Sequence, residues 1–167
     1  MIMDKEEFSE FYDKNIDKVF RFVYLRVDTT ETAQDLTSLA FLKLWKRQDS
    51  EISNSTAFLY RIARNQIIDF YRSKSKKPLS LDKAGEIADF QVAQPTFSEK
   101  IELTLEMKRI KKVIQNIKPV YADVIIWHYV DDLSSKEIAQ ILKKREGNVR
   151  VIIHRALEAL KEQLEVK

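Results

Sequence analysis

The chain has 167 residues, of which 44% are hydrophobic and 33% are charged, and its formal net charge is +3. This length suits one domain of ordinary size or two small ones, and a net charge of this size does not by itself indicate a nucleic-acid partner. The absence of cysteine excludes disulfides and thiolate metal sites. No apolar run is long enough for a membrane span, and the first ten residues are too acidic and polar for a signal peptide. We therefore expect a cytoplasmic protein with no membrane contact of its own.

Glycine and proline are scarce, with 2 and 3 copies, and apolar residues recur at helical spacing along most of the sequence. This pattern is typical of an all-α protein. In the first half, helices are predicted over residues 5–27, 30–47 and 55–74. A break inside the first of them would make four. Residues 78–98 hold two prolines and a glycine without an apolar period, which predicts a flexible linker between small helical domains at 1–77 and 99–167.

The second predicted helix carries more apolar side chains than one buried face can hold. These side chains include Leu36, Leu39, Phe41 and Leu42. They cannot all face a single core on a helix of 3.6 residues per turn. An apolar surface left over in this way predicts a second buried contact, with a partner protein.

Aromatic and basic residues are interleaved along the third predicted helix and its extension. Between residues 58 and 77, six basic residues stand against one acid, Asp69. Such a mixture suits an unpaired nucleic-acid strand, because bases stack on aromatic rings while cations hold the phosphates. The pattern leaves open a second interpretation, an amphipathic helix whose basic end is only solvated.

Two helices are predicted after the linker, over residues 99–116 and 121–129. They are followed by two more helices joined by a tight turn. Ser134 and Glu137 have the spacing of a capping box, in which each residue satisfies a backbone N–H of the other. Gly147 is expected to give backbone freedom at the start of the last helix, and Asn148 is expected to cap it.

The last predicted helix has an apolar stripe, and basic residues lie off that stripe near its start. They are Arg150, His154 and Arg155, preceded by the turn residues Lys143, Lys144 and Arg145. Arginine in the first turns of such a helix can reach guanine or a phosphate, which predicts a helix-turn-helix in the DNA major groove. The alternative is an ordinary helical hairpin with solvated charges.

Four segments together resemble the extracytoplasmic-function (ECF) sigma factors, small two-domain members of the sigma-70 family of bacterial RNA polymerase. They are residues 33–45 (AQDLTSLAFLKLW), 58–65 (FLYRIARN), 133–142 (LSSKEIAQIL) and 147–157 (GNVRVIIHRAL). The resemblance covers nearly the whole chain outside the linker. It implies a promoter-recognition subunit that binds core RNA polymerase, promoter DNA and an anti-sigma factor, without catalytic residues, cofactor or metal.

The resemblance also implies roles for individual positions. The second helix is expected to dock on the clamp helices of the largest polymerase subunit through Asp35, Leu36, Leu39, Phe41, Leu42 and Trp45. Residues 48–56 and the following helix are expected to read the promoter −10 element, where a flipped base is held in a pocket. The −10 contacts would come from Tyr60, Arg61, Arg64, Asn65 and Arg72. The −35 contacts would come from Lys144, Arg145, Asn148, Arg150, His154 and Arg155.

The sequence departs from the family pattern at three places. Ser38 and Leu39 stand where the family often has a polar pair, which bears on the clamp contact. Lys143 stands where the turn usually carries a glycine, so a different turn geometry is expected. Ile152 stands where relatives are often basic, so fewer phosphate contacts are expected.

Three other classes of protein are alternatives to a sigma factor: a dimeric regulator, a degenerate sigma-like factor and an enzyme. A dimeric helix-turn-helix regulator would bind palindromic duplex DNA without polymerase, but it leaves the second and third helices unexplained. A degenerate sigma-like factor would occupy polymerase without directing it. An enzyme is not expected, because His128 and His154 are the only histidines and no glycine-rich phosphate loop is present.

Overall fold

The computed structural model describes residues 2–47, 54–74 and 105–165, and it divides the chain into two units, Met1–Ser98 and Glu99–Lys167. Every element within those three described ranges is helical, which confirms the predicted all-α class. The linker predicted for residues 78–98 lies outside the described residues, as does most of the loop predicted to contact the −10 element. No helix within the described ranges is both long and apolar enough to cross a membrane.

The first unit contains three helices: α1 (Lys5–Arg26), α2 (Thr30–Lys46) and α3 (Ser55–Lys74). Helix α1 is unbroken and begins with a capping box in which the Glu7 N–H donates to Asp4 Oδ1 at 2.8 Å. The Thr32 N–H donates to the hydroxyl oxygen of Thr29, which caps α2. These caps satisfy backbone N–H groups that a helix start leaves without partners. The predicted bounds of all three helices agree with the observed ones to within one residue.

The core of the first unit forms where each helix packs against the other two. Its largest fully buried side chains are Phe20, Phe22, Leu25, Phe41, Leu44, Leu59, Tyr60 and Ile67. At the far end of α3, the Tyr71 hydroxyl donates to the Arg26 carbonyl at 2.7 Å. Lys74 Nζ lies 2.6 Å from Asp28 Oδ2. These contacts fix the C-terminal end of α3 against the corner between α1 and α2.

The second unit contains α4 (Leu105–Gln115), α5 (Pro119–Ile125), α6 (Ser135–Leu142) and α7 (Glu146–Glu165). Helix α5 begins at Pro119, because proline lacks the N–H that the first helical position leaves unpaired. It continues into a π-helical turn, Ile126–Val130.

A tight connection joins that π-helical turn to α6. The Leu133 N–H donates to the Trp127 carbonyl at 2.8 Å, and His128 Nδ1 lies 2.8 Å from the Leu133 carbonyl oxygen. Asp132, between them, has a left-handed backbone with φ of 58°. Trp127 is fully buried, so the connection is anchored in the core of the second unit.

The turn of the helix-turn-helix confirms one prediction and corrects two. The capping box at Ser134 and Glu137 is present. Helix α7, however, begins at Glu146, so Asn148 lies inside its first turn and does not cap it. Gly147 is not in the left-handed region. That conformation belongs to Lys143, with φ of 54° and ψ of 46°, which ends α6.

Candidate nucleic-acid and protein interfaces

Helix α7 buries one stripe and exposes the opposite one. Its buried residues are Val149, Ile153 and Ala156, at the three- and four-residue spacing of a single helical face. All six residues predicted to contact the −35 element are exposed: Lys144, Arg145, Asn148, Arg150, His154 and Arg155. The structure therefore places them in the turn and on the outward side of the last helix, which is the side a major groove would receive.

Two side-chain pairs, each joining a basic residue to a glutamate four residues away, lie along this helix. Arg150 Nη2 lies 2.7 Å from Glu146 Oε1, and His154 Nε2 lies 3.2 Å from Glu158 Oε1. All four side chains are in contact with solvent, so each pair contributes little to stability. Both contacts run along the helix surface.

Val151 lies near the middle of the outward face, and the sequence reasoning missed it. Its exposure is 47%, although valine is usually buried. The signal was present in the sequence, because 151 falls on the opposite side of the helix from Val149, Ile153 and Ala156. In the major groove an apolar side chain at this place suits the C5-methyl group of thymine.

Helix α3 places one predicted −10 residue in the core. Tyr60 is fully buried, and its ring meets Phe22 edge-on with centroids 6.0 Å apart. The prediction that Tyr60 contacts DNA is therefore wrong for this structure. Position 60 faces the other two helices, because it lies about half a turn from the exposed residue at 65.

The outward face of α3 instead carries Phe58, Arg61, Asn65 and Arg72, at spacings of three, four and seven. Asn65 and Arg72 are exposed, and Arg61 and Phe58 are half-buried. The Arg61 guanidinium lies over the Phe58 ring at 6.0 Å. Arg64 is half-buried at the edge of this stripe. Phe58 is thus the aromatic group that could meet a base, a role the sequence analysis had given to Tyr60.

Helix α2 does not expose the apolar surface that was predicted for it. Leu36, Leu39, Phe41 and Leu42 are 7%, 5%, 0% and 8% exposed. The reason is that α2 packs against both α1 and α3, so apolar residues on two of its sides belong to the core of its own unit. Trp45 is half-buried and meets Phe8 edge-on, with ring centroids 4.9 Å apart.

The exposed edge of α2 is polar. Glu31, Asp35 and Lys46 lie along it, and half-buried Ser38 lies beside them. Partial burial raises the pKa of Asp35 above its usual range, and the neighbouring Glu31 carboxylate raises it further. A carboxylate that has lost water next to a like charge gains most from a cationic or hydrogen-bond-donating partner.

Two family models match the chain in the order of its two units. The model for Sigma-70 region 2 matches residues 11–77, and the model for Sigma-70, region 4 matches residues 107–160. The chain is 33% identical to the ECF RNA polymerase sigma factor SigW of Bacillus subtilis (strain 168), over 96% of this chain and 90% of that protein. It is 27% identical to the ECF RNA polymerase sigma factor BldN of Streptomyces coelicolor, over 94% of this chain and 60% of that one.

Solved structures share the fold at lower identity. The sigma factor RpoE from Bartonella quintana, in complex with the anti-sigma factor NepR, matches 97% of this chain and 99% of its own with a TM-score of 0.70 and 20% identity. CnrH, in complex with the cytosolic domain of CnrY, matches 98% and 91% with a TM-score of 0.68 and 18% identity. Given these matches and the two helical units described above, the chain belongs to the ECF sigma factors, which bind core RNA polymerase and direct promoter recognition and transcription initiation.

Proposed function

We propose that the two units of this sigma factor divide promoter reading between them. Residues 1–77 bind core polymerase and read the −10 element through α3, and residues 99–167 read the −35 element through α7. The observation that carries this division is that each unit presents one helix with a polar, cationic outward stripe opposite its buried stripe. Cations on such a stripe supply the phosphate contacts that position a protein on DNA.

The polymerase contact is assigned to the polar edge of α2. Asp35 is its centre, because its carboxylate is partly desolvated beside Glu31 and a cationic group of polymerase would stabilise it. Leu39 and Leu42 lie next to this edge and are almost fully buried, so they form the apolar base of the contact surface. Leu36 and Phe41 lie on other sides of the helix, and they support it from inside the unit.

The −10 contact is assigned to the outward stripe of α3. Asn65 is exposed and carries both a donor and an acceptor, which suits the hydrogen-bonding edge of a flipped base. Phe58 offers a ring for stacking, with the Arg61 guanidinium over its face. Arg64 and Arg72 hold phosphates on either side.

The −35 contact is assigned to the first two turns of α7. Arg150 reads a base when its guanidinium leaves Glu146 and hydrogen-bonds to a guanine. Val151 contacts the methyl group of a neighbouring thymine. Asn148, His154 and Arg155 lie on the same outward face. Lys144 and Arg145, in the turn, contact phosphates, which fixes the register of the helix without reading sequence.

The setting proposed for this activity is the cytoplasm, where core polymerase acts. An anti-sigma factor is the proposed regulator, and the support is that the sigma factor RpoE, which shares this fold, is found in complex with the anti-sigma factor NepR. The protein is proposed to have no catalytic chemistry of its own, in keeping with a family of transcription initiation factors.

Reconstituted run-off transcription with core polymerase and a matrix of promoter mutants tests the division. Arg150→Ala should relax discrimination at one or two −35 positions, with a loss of about 1–3 kcal/mol per base contact. Asn65→Ala should change preference at one −10 position only. Lys161→Ala, on an exposed position two turns beyond His154, is the matched control and should change neither. If both test variants shift preference at the same promoter positions, the two-reader proposal is wrong.

The polymerase assignment has its own test. Asp35→Arg should weaken co-purification with core polymerase and leave the fold intact, because residue 35 lies on the outer edge of α2 with only part of its carboxylate desolvated. A folded variant that binds core polymerase as well as wild type would refute the assignment. A dimeric regulator, by contrast, would bind palindromic DNA without polymerase, and the same variant would leave that binding unchanged.

A further inference from the structure

Helix α4 of the second unit has a cationic outward face that promoter reading leaves unused. Lys108, Arg109 and Lys112 are exposed, and Leu105 is exposed on the same side. Positions 105, 108, 109 and 112 recur every three to four residues, so they form one stripe along the helix. Ile114 lies on the opposite side and is buried in the core of the unit. We call these three basic residues the α4 cationic stripe.

The α4 cationic stripe lacks the acidic partners that basic residues on α7 have. On α7, Arg150 and His154 each lie within ion-pair distance of a glutamate on the same helix. Within the described ranges, no carboxylate lies within ion-pair distance of Lys108, Arg109 or Lys112. Glu106, the acid in the described part of α4, is three residues before Arg109 but outside ion-pair distance of it, and it is displaced by more than a quarter turn from the centre of the stripe.

The arrangement is unfavourable for the helix taken alone. Lys108 and Lys112 are four residues apart, so their like charges repel across one turn. A bound anion would relieve this repulsion, which is the physical reason to look for a ligand at this face.

We infer that the α4 cationic stripe is a second phosphate-binding surface, which takes the backbone of duplex DNA without reading its sequence. Two of its three cations are lysines, whose ammonium groups act as point charges towards phosphates. The stripe lies on another helix from the turn and outward face of α7, so it adds contacts outside the −35 footprint. This inference goes beyond the proposed division of promoter reading, and it holds whether or not Arg150 and Val151 read bases.

The test is a salt titration of the full-length protein with nucleic acids of random sequence. The variant Lys108→Gln/Lys112→Gln removes two charges of the stripe. Lys14→Gln/Lys18→Gln is the matched control, because these lysines are also exposed and four residues apart, on α1. Binding is measured to a random 30-base-pair duplex and to a poly-glutamate peptide. Promoter DNA with an intact or a scrambled −35 element is measured alongside.

If the stripe contacts two phosphates through these lysines, the log–log dependence of duplex affinity on salt should become shallower by about 2. Affinity at low salt should fall by about 10-fold, and the control should retain the wild-type slope. The ratio of affinities for intact and scrambled −35 elements should stay at its wild-type value. A collapse of that ratio would mean that the stripe takes part in reading sequence and would overturn the inference.

Two further outcomes contradict the inference without bearing on the proposed division of promoter reading. The first is a test variant with the same slope and affinity as the control. The second is a test variant that loses poly-glutamate binding and keeps nucleic-acid binding, which would identify an acidic protein segment as the ligand. Thermal unfolding of both variants checks the fold. The test variant should be as stable as wild type or slightly more, because it removes a repulsion.

Discussion

Helices α2 and α7 both carry many apolar residues, but their surroundings give those residues different meanings. Helix α7 packs on its unit from one side, so its sequence separates into a buried stripe and an outward face that holds Arg150 and Val151. Helix α2 has a neighbour on two sides, so leucines that a single face could not hold are all covered within the unit. Excess apolar residues on a helix thus report how many of its sides are covered, and they indicate a partner protein only when the fold leaves them exposed.

The largest expected effects are on stability, and they concern two side chains of the first unit that were predicted from sequence to contact polymerase or DNA. Phe41→Ala and Tyr60→Ala should each lower the free energy of unfolding by about 3–5 kcal/mol, because both rings are fully buried. Urea denaturation followed by tryptophan fluorescence measures this loss, since Trp45 reports on the same unit.

Asn65→Ala is the control for this pair, because Asn65 is exposed on the same helix as Tyr60. Its free energy of unfolding should stay within about 0.5 kcal/mol of wild type. If Tyr60→Ala were as stable as Asn65→Ala and instead lost −10 discrimination, the contrast between buried and outward positions of α3 would not hold.

Local sequence patterns predicted well where the helices lie in the chain. They predicted less well which side of each helix is buried. Capping residues such as Ser134 depend on neighbours three residues away, so the start of α6 was evident from sequence. The burial of Tyr60 depends on where α1 lies, which no local pattern on α3 contains. The exposure of Val151 could have been predicted from the sequence, because its position opposite the buried stripe follows from the 3.6-residue period alone.

A smaller effect is expected at Val151, and it should appear in DNA binding and leave stability unchanged. Val151→Ala removes two methyl groups that are already exposed, so unfolding should change by less than about 0.5 kcal/mol. Loss of a thymine contact should cost about 1–1.5 kcal/mol of binding at one −35 position. Competition binding with −35 variants that replace each thymine by uracil, which lacks the methyl group, measures it.

The uracil substitution also supplies the control for Val151. Wild type should lose affinity at one uracil, and Val151→Ala should be insensitive at that same position. Equal sensitivity of the two proteins at every position would remove Val151 from the reading face, and α7 would then resemble α2 in using its apolar residues only for packing.

The turn before α7 offers a gain in stability. Lys143 has a left-handed backbone, which L-residues with a side chain adopt at a cost of about 1–2 kcal/mol. Lys143→Gly should therefore raise the free energy of unfolding, by about 0.5–1 kcal/mol after the greater entropy of glycine in the unfolded chain is allowed for. Asp132→Gly should give a smaller gain, because aspartate tolerates the left-handed region better than lysine. The opposite order in thermal unfolding would contradict this account of the turn.

The smallest expected effect concerns the polar edge of α2, and it depends on pH. Burial and Glu31 raise the pKa of Asp35, so the folded state binds this proton more tightly than the unfolded state does. The wild type therefore loses stability as pH rises from the ordinary aspartate value of about 4 through the raised pKa, and the loss is complete above it. Asp35→Asn carries no such charge, so it should be more stable than wild type at neutral pH by a few tenths of a kcal/mol, and equally stable in acid.

Glu31→Gln distinguishes the two causes of that shift. Removing the Glu31 charge should lower the Asp35 pKa towards its usual value without restoring it, because burial is the larger cause. An NMR titration of the Asp35 side-chain carboxyl in both proteins measures the two contributions directly. A full return to the ordinary value would mean that the carboxyl is well hydrated. In that case the polar edge of α2 would be an ordinary solvated surface, and partial desolvation would no longer support Asp35 as the centre of the polymerase contact.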